Sequence, residues 1–208
     1  MKEFYDTYWT KAHPPPTLDP LTPRRLGILW SLADDLPEAP RRMLDCGSGE
    51  GHLVAAATDL GLEAHGMEIS EVALERARSA HPQLALQSHS VEDLPWPVAA
   101  GSFDLVTAFE VIEHLVCPRE LLRGAYQSLR SGGHLALTTP WHGLLKNLAL
   151  ALLAFDSHFD VDGGHIRFFS DQALRRLLEE AGFRVERMVH FGRHWPFWAG
   201  VLVWARKP

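Results

Sequence analysis

The sequence predicts a doubly wound α/β fold: a mostly parallel, seven-stranded sheet finished by an antiparallel C-terminal hairpin. Three observations predict it. From Arg42 onward, short apolar runs alternate with stretches of helical periodicity, the pattern of successive strand–helix–strand units. A glycine-rich turn, Gly47-Ser48-Gly49-Glu50-Gly51, stands between the first apolar run and the first of those helices, where doubly wound sheets bind ligands. The last two apolar runs flank a turn-like stretch, Gly192–Pro196, too short for a helical crossover, so they pair antiparallel. At a norm of about 150 residues per domain, the length favours one domain over 1–208.

Residues 1–37 read as N-terminal helices. The first runs from about Phe4 to Lys11. The second runs from about Pro23 to Leu36, with Leu26, Leu29, Trp30 and Ala33 at helical spacing, and the stiff Pro14-Pro15-Pro16 links the two. Five strands are expected at Arg42–Cys46, Leu62–Glu68, Leu84–Ser88, Phe103–Phe109 and His134–Thr139, with helices near His52–Leu60, Glu71–Ala80 and Arg119–Arg130. Pro118 suits the first position of the last helix. Leu121, Leu122, Ala125, Tyr126 and Leu129 form its stripe, and Gly132-Gly133 should stop it. Segment 141–165 reads as an insertion over the sheet. Its Gly143–Phe155 stretch is helical in propensity and apolar almost all round. That fits a buried helix, or a lid over an apolar acceptor that dips into a membrane surface. Asp156, His158, Asp160 and Asp162 form an acid-rich loop leading to a Gly163-Gly164 hinge. Ser170 caps a helix that ends at Ala181 before Gly182, and strands at Arg184–His190 and Val201–Ala205 complete the sheet.

Composition narrows the function classes. With 20 Lys+Arg against 26 Asp+Glu the formal net charge is -6, and no basic run occurs, which argues against a nucleic-acid partner. Cys46 and Cys117 form neither a disulfide framework nor a CxxC pair, so a reducing, cytoplasmic location is expected. The longest apolar run, Leu148 to Phe155, falls far short of the about 20 residues that span a bilayer.

The glycine turn carries the chemistry. Seventeen residues after Gly51 the second strand ends in Glu68, a carboxylate placed to grip both hydroxyls of a ribose. The first strand ends in Asp45-Cys46, so an acid faces the place where a dinucleotide fold holds pyrophosphate. An acid there repels phosphate and tolerates a cation. S-adenosylmethionine has a ribose, no phosphate, an ammonium and a sulfonium, and it fits. A nicotinamide dehydrogenase is disfavoured by the same Asp45 and by the glycine spacing.

Five segments resemble the class I S-adenosylmethionine-dependent methyltransferases, whose fold is Rossmann-like. They are LDCGSGEGHL (44–53), GMEIS (66–70), VEDLPWP (91–97), SFDLVTAFEVIEHL (102–115) and LRSGGHLALTTP (129–140). Within that superfamily VTAFEVIEH and GGHIRFFS (163–170) look like the ubiquinone-biosynthesis O-methyltransferase branch. The resemblance implies that Gly47, Ser48, Gly49 and Gly51 cradle the methionine moiety, with Asp45 near its ammonium. Glu68 would take the ribose hydroxyls and Ile69 the adenine face. Ser90, Val91 and Glu92 would edge the adenine, Ser90 standing where many relatives carry Asp. Phe109 would lie beside the reacting methyl. The N-terminal Phe4, Tyr5, Tyr8 and Trp9 resemble an opening helix that covers the cofactor.

Glu110, Glu113 and His114 fall at i, i+3 and i+4, which any helical turn places on one side. Three readings stay open. The residues hold the loop through hydrogen bonds; or His114 is a general base supported by Glu113; or Glu110, Glu113, His114 and a later His165 bind magnesium or manganese. The third is what the resemblance implies, since RNA 3′-terminal 2′-O-methyltransferases use such a set. The expected activity is O-methylation of a small, apolar, hydroxylated acceptor. The rivals are a metal-dependent RNA 2′-O-methyltransferase and a non-catalytic S-adenosylmethionine-binding module. Trp141, Phe155, Phe159, Phe168, Phe169, Trp195 and Trp198 are candidates to wall the acceptor pocket.

Overall fold

A computed structural model describes residues 2–11, 20–153 and 164–208. Helices α1 (Lys2–Lys11) and α2 (Thr22–Asp34) precede the sheet. Elements β1 (Arg42–Cys46), α3 (His52–Asp59), β2 (Glu63–Glu68), α4 (Glu71–Ala80) and β3 (Ala85–Ser88) build one half. The other half has β4 (Phe103–Phe109), α5 (Pro118–Ser128) and β5 (Leu129–Pro140). After these come α6 (Leu144–Leu153), α7 (Asp171–Glu180), β6 (Arg184–Phe191) and β7 (Gly200–Arg206).

The seven strands lie in the order β3-β2-β1-β4-β5-β7-β6. Pairing is parallel from β3 to β5, whereas β7 runs antiparallel between β5 and β6. The chain winds outward from β1 to β3 and then returns to β4 on the other side of β1. That reversal opens a crevice at the carboxyl ends of β1 and β4, where ligands bind in such sheets.

Alternation along the strands builds the two covered faces. Val106 and Ala108 of β4 join Leu121, Leu122, Leu174 and Leu178 from α5 and α7 on one side. Leu105, which points the opposite way, joins Leu29 and Ala33 of α2 and Val54 and Ala57 of α3 on the other. Each fully buried Leu contributes about 1.5–3 kcal/mol. Helix starts follow their caps: the Ser70 and Ser170 hydroxyls accept from the amides of Ala73 and Ala173, bonds worth about 1 kcal/mol each.

Two expectations change. Helix α5 stops at Ser128 rather than near Arg130, because Leu129 is fully buried and pairs with Phe103 as the first residue of β5. The glycines meant to stop the helix lie inside that strand, Gly132 in the left-handed region at φ +80°. Helix α6 has no buried residue against the rest of the described chain, and Leu144 and Leu153 are 84% and 85% exposed, so the buried-helix expectation fails for Leu144–Leu153. The proline link at 14–16, Phe155, Phe159, the acid-rich loop and Gly163 lie outside the described residues. No helix among the described residues is long and apolar enough to cross a membrane.

Candidate functional site

The glycine turn is locked by backbone geometry. Gly47, Gly49 and Gly51 all take left-handed φ, at +72°, +52° and +79°. The amides of Gly47 and Ser48 both donate to the Met67 carbonyl of β2, at 2.8 and 3.0 Å. A Cβ on Gly47 would stand 2.6 Å from Val111, and one on Gly49 would stand 3.2 Å from the Trp9 ring. The turn therefore runs as bare backbone between Val111 and α1. The Ser48 hydroxyl is buried there without a hydrogen-bond partner among the described residues.

Two acids flank this turn. Asp45 is buried and accepts from the Thr107 hydroxyl at 2.7 Å. Burial pushes its carboxyl up to about 7, with the Thr107 bond opposing and the Glu68 charge adding. Glu68 accepts from the amides of Gly49 (3.0 Å) and Ser70 (2.9 Å); burial raises its pKa, and these bonds oppose that push only in part. Beyond β3, the Ser90 hydroxyl accepts from the Glu92 amide, and the Val91 carbonyl accepts from the Trp96 indole. The Glu92 carboxylate holds the Cys117 amide.

One cavity of about 810 Å³ collects most of the expected cofactor residues: Asp45, Gly47, Ser48, Gly49, Glu68, Ile69, Ser90, Val91, Glu92 and Phe109. Gly51 is not on its wall; it caps α3 and packs toward Leu84. The aromatic wall comes from Phe4, Tyr5, Tyr8 and Trp9 of α1 together with Phe109. It does not come from Trp141, Phe168, Phe169, Trp195 or Trp198. Trp141 and Phe169 pack on the core instead, and Trp195 is 72% exposed.

The acidic cluster divides. After β4, Glu110 takes φ +55°, the left-handed region, and it lines the same cavity with its carboxylate held by Thr138 and Arg25. Its amide donates to Thr138, its Oε1 accepts from the Thr138 hydroxyl at 2.8 Å, and its Oε2 lies 3.3 Å from Arg25. The expected single helical face is therefore absent, because only Ile112–His114 forms a helical turn, of the 3-10 type. Glu113 lies behind the cavity wall, 1% exposed, and neither carboxylate oxygen has a hydrogen-bond partner among the described residues. Burial first, then the Glu110 charge, hold it well above the usual carboxylate range.

His114 reaches the cavity. Its Nδ1 lies 2.7 Å from the Gly164 carbonyl, which can only accept, so Nδ1 carries the proton and Nε2 presents a lone pair. Burial depresses its pKa and keeps it neutral. Nε2 faces Glu113 Oε1 at 3.9 Å, and the His165 ring stands 4.8 Å from the His114 ring. Ligand atoms of Glu113, His114 and His165 lie within 4.8 Å of one another, whereas Glu110 stays with Arg25 and Thr138. A lone pair facing an unpaired carboxylate is repulsive, so a proton or a cation belongs between them.

Arg25 is a cavity residue that sequence reasoning missed. It is the one Arg or Lys on the described wall of the cavity, and its side chain is 8% exposed. Its sequence signal is its position on the buried face of α2 with Leu29 and Ala33, at i+4 and i+8. Tyr5 was named only as part of a covering cluster. Its ring meets that of His114 edge-on at 6.2 Å, and burial with the Glu68, Glu113 and Glu92 charges keeps its hydroxyl protonated.

Residues 23–187 match a family model described as a methyltransferase domain. The ubiquinone biosynthesis O-methyltransferase of Idiomarina loihiensis is 29% identical over 175 residues, 79% of this chain and 69% of that protein. That of Xanthomonas campestris pv. campestris is 33% identical over 136 residues, 64% of this chain and 55% of the relative. The chain thus spans little more than half the length of several relatives that it matches. Among solved structures, a SAM-dependent methyltransferase from Thermotoga maritima superposes over the whole of both chains, with TM-score 0.70 and 22% identity. The [4+2]-cyclase SpnF superposes with TM-score 0.66 and 18% identity, over 88% of this chain and 80% of its own. Likeness at that level shows the fold alone. The family model spans most of the sequence, and the chain accordingly belongs to the methyltransferase-domain family, in its class I, S-adenosylmethionine-dependent form.

Proposed function

We propose that the chain methylates a hydroxyl of a small, largely apolar acceptor, using S-adenosylmethionine bound in the 810 Å³ cavity. One observation carries the reading. The glycine turn with Glu68, and the His114 imidazole, open onto the same space. Small-ligand pockets run to about 300–1,000 Å³, so this volume admits a nucleoside cofactor together with a compact acceptor.

The residues present fit the cofactor. A bare glycine backbone and the unpartnered Ser48 hydroxyl form a cradle that side chains would fill. Asp45, held near neutrality by burial, ionises beside an ammonium. Arg25 supplies the cation that an amino-acid carboxylate needs, and Glu68 keeps lone pairs for a ribose diol. When bound, the cofactor supplies an electrophilic methyl on sulfonium. The α1 aromatics and Phe109 shut water out of the reacting space. His114 Nε2 takes the acceptor's hydroxyl proton, and its Nδ1 bond to Gly164 fixes the ring and the tautomer. Glu113 beside it stabilises the imidazolium that forms once it has itself given up its proton.

Glu113, His114 and His165 would also hold a divalent ion, and the buried carboxylate without partners fits one. Such an ion would lower the pKa of an acceptor hydroxyl. With the Glu110 carboxylate engaged by Arg25 and Thr138, one carboxylate and two imidazoles remain, a donor set that moves preference from magnesium toward manganese or another transition ion. The exposed leucines of α6 support contact of that face with a membrane surface carrying an apolar acceptor.

Formation of S-adenosylhomocysteine is the test, with a panel of phenols and alcohols beside a short RNA. Turnover with a small hydroxylated acceptor is expected. Turnover with RNA alone would replace this reading, and tight binding without turnover would leave a binding module.

A further inference from the structure

Helix α1 covers the cavity, yet it has no buried residue to hold it there. It is ten residues long, below the about 12–15 at which isolated helices become even marginal in water. Its position therefore depends on its ties. Among the described residues its polar ties to the rest of the chain all lead to α4 or to the cap of that helix. Lys2 lies 3.5 Å from Glu71, an exposed pair of little weight. Asp6 accepts from the Ser70 hydroxyl at 2.7 Å, and the Trp9 carbonyl accepts from Arg76 Nη2 at 2.7 Å.

Both inner ties continue into the cavity wall. The Ser70 amide donates to Glu68, the acid placed for the ribose. Arg76 Nη1 donates to Glu50 Oε1 at 3.3 Å, and Glu50 belongs to the glycine turn, its side chain 9% exposed. Directly above, the Trp9 ring rests on Gly49, whose amide donates to the other Glu68 oxygen. The forked guanidinium of Arg76 thus joins the floor of the cofactor site to the backbone of its cover. A point-charge lysine offers no such rigid fork.

We propose that Arg76 is a positioning residue that fastens α1 over the cofactor cavity, so that closure of α1 and retention of the nucleoside are one coupled event. The inference rests on the reading that the cavity takes S-adenosylmethionine. It assigns to α4 a task beyond covering the sheet: whatever orders Glu50 and Glu68 also orders α1, and α1 in turn sets Tyr5 against His114. Opening of α1 is then the step that releases the spent nucleoside.

The experiment uses the full chain as wild type, Arg76→Gln and the double variant Glu50→Gln/Arg76→Gln. Hydrogen exchange of the 2–11 amides is followed without nucleoside, and stopped-flow tryptophan emission reports release of S-adenosylhomocysteine. Loss of a charge-assisted hydrogen bond is worth roughly tenfold or more. Arg76→Gln is therefore expected to speed both α1 exchange and release about tenfold, with exchange of β1 and β4 amides unchanged. The double variant leaves no uncompensated buried carboxylate, and it should stay fast. Two results would overturn the proposal: wild-type exchange of α1 in Arg76→Gln, or restoration of slow exchange and release in the double variant. The second would reduce Arg76 to a counterion of Glu50. Wild-type chain that fails to bind S-adenosylhomocysteine would defeat the cofactor reading, while the ligand-free exchange still decides the role of Arg76.

Discussion

Replacing Arg25 by methionine separates recognition of the amino-acid end of the cofactor from recognition of its nucleoside. The Arg25 side chain is 8% exposed, its guanidinium lies 3.3 Å from Glu110, and it sits 5.5 Å from the centre of the Phe191 ring. Methionine keeps the apolar stem and removes the charge. A hydrogen bond between charged partners contributes about 1.5–3 kcal/mol, roughly 10- to 150-fold in a dissociation constant. Glu110 already occupies the guanidinium in the free chain, so part of that gain is exchanged rather than new, which places the expected loss near the lower end, about tenfold. Calorimetric titration with S-adenosylhomocysteine and with 5′-methylthioadenosine, which has no carboxylate, provides the assay. In Arg25→Met the first ligand should weaken about tenfold and the second should not change. Equal weakening of both would show that the substitution disturbs the cavity as a whole, and no weakening would assign Arg25 to Glu110 alone. Either result refutes the reasoning.

Further expectations concern the same cavity and its surroundings. The Asp45 carboxyl sits at about 7 in the folded chain against an ordinary 3.8, so its contribution favours folding below about 3.8 and is lost as pH rises through about 7; Asp45→Asn should flatten that part of the stability profile in chemical denaturation. Because an ammonium needs the ionised acid, S-adenosylhomocysteine should bind more tightly as pH rises toward 7, by up to about tenfold per unit, and calorimetry across pH checks it. Gly47→Ala should cost about 1–2 kcal/mol from the left-handed backbone alone, beyond its clash with Val111, and should lower melting temperature and nucleoside binding together. Dialysis against a chelator should depress turnover and manganese should restore it; chelator-insensitive turnover would leave His114 to act as base without an ion. Leu144→Ser/Leu148→Ser/Leu152→Ser should reduce co-sedimentation with liposomes, and a wild-type chain that stays in the supernatant would remove the membrane contact.

What was legible in the sequence follows from how local each signal is. The bounds Arg42–Cys46, Phe103–Phe109 and Glu71–Ala80 match the structure because an apolar run or a Ser70 cap sets them without help from distant residues. The start of β5 was not legible: Leu129 leaves its helix because Phe103, a residue 26 positions earlier, offers it a strand partner. Glu110 was misplaced for a backbone reason. A glutamate gives no hint of left-handed φ, and the Thr138 and Arg25 contacts that sustain it come from β5 and α2. The glycine turn was legible because it needs its glycines locally, and in the structure it lines one cavity together with Glu68. The α1 aromatics lie over the cavity as the resemblance implied, whereas Trp141, Phe168, Phe169, Trp195 and Trp198 do not wall it, since which of many aromatics wall a cavity depends on tertiary ties such as those of Asp6 and Trp9 to α4.

The four acids that the sequence offered as ligand holders are each balanced in a different way. Asp45 is balanced by a proton that burial makes easy to keep, and Glu68 by two backbone amides. Glu110 is balanced by Arg25 and the Thr138 hydroxyl. Among the described residues Glu113 alone of the four has no hydrogen-bond partner within bonding geometry at either oxygen; Thr139 and the Arg25 charge oppose its burial and the Glu110 charge only in part, and it faces the lone pair of a neutral imidazole. A buried carboxylate in that state costs several kcal/mol unless a proton or a cation joins it. Under the proposed O-methylation, handling of the acceptor's proton therefore centres on the gap between Glu113 and His114. A pair that shares one proton at rest must release it to solvent before it accepts the substrate's, whereas a pair that holds an ion lowers the pKa of the hydroxyl through that ion. Glu113→Gln tests this directly: an amide can donate to His114 Nε2 and occupy the lone pair, so turnover should collapse while S-adenosylhomocysteine still binds. Retained turnover in Glu113→Gln would move the chemistry away from this pair.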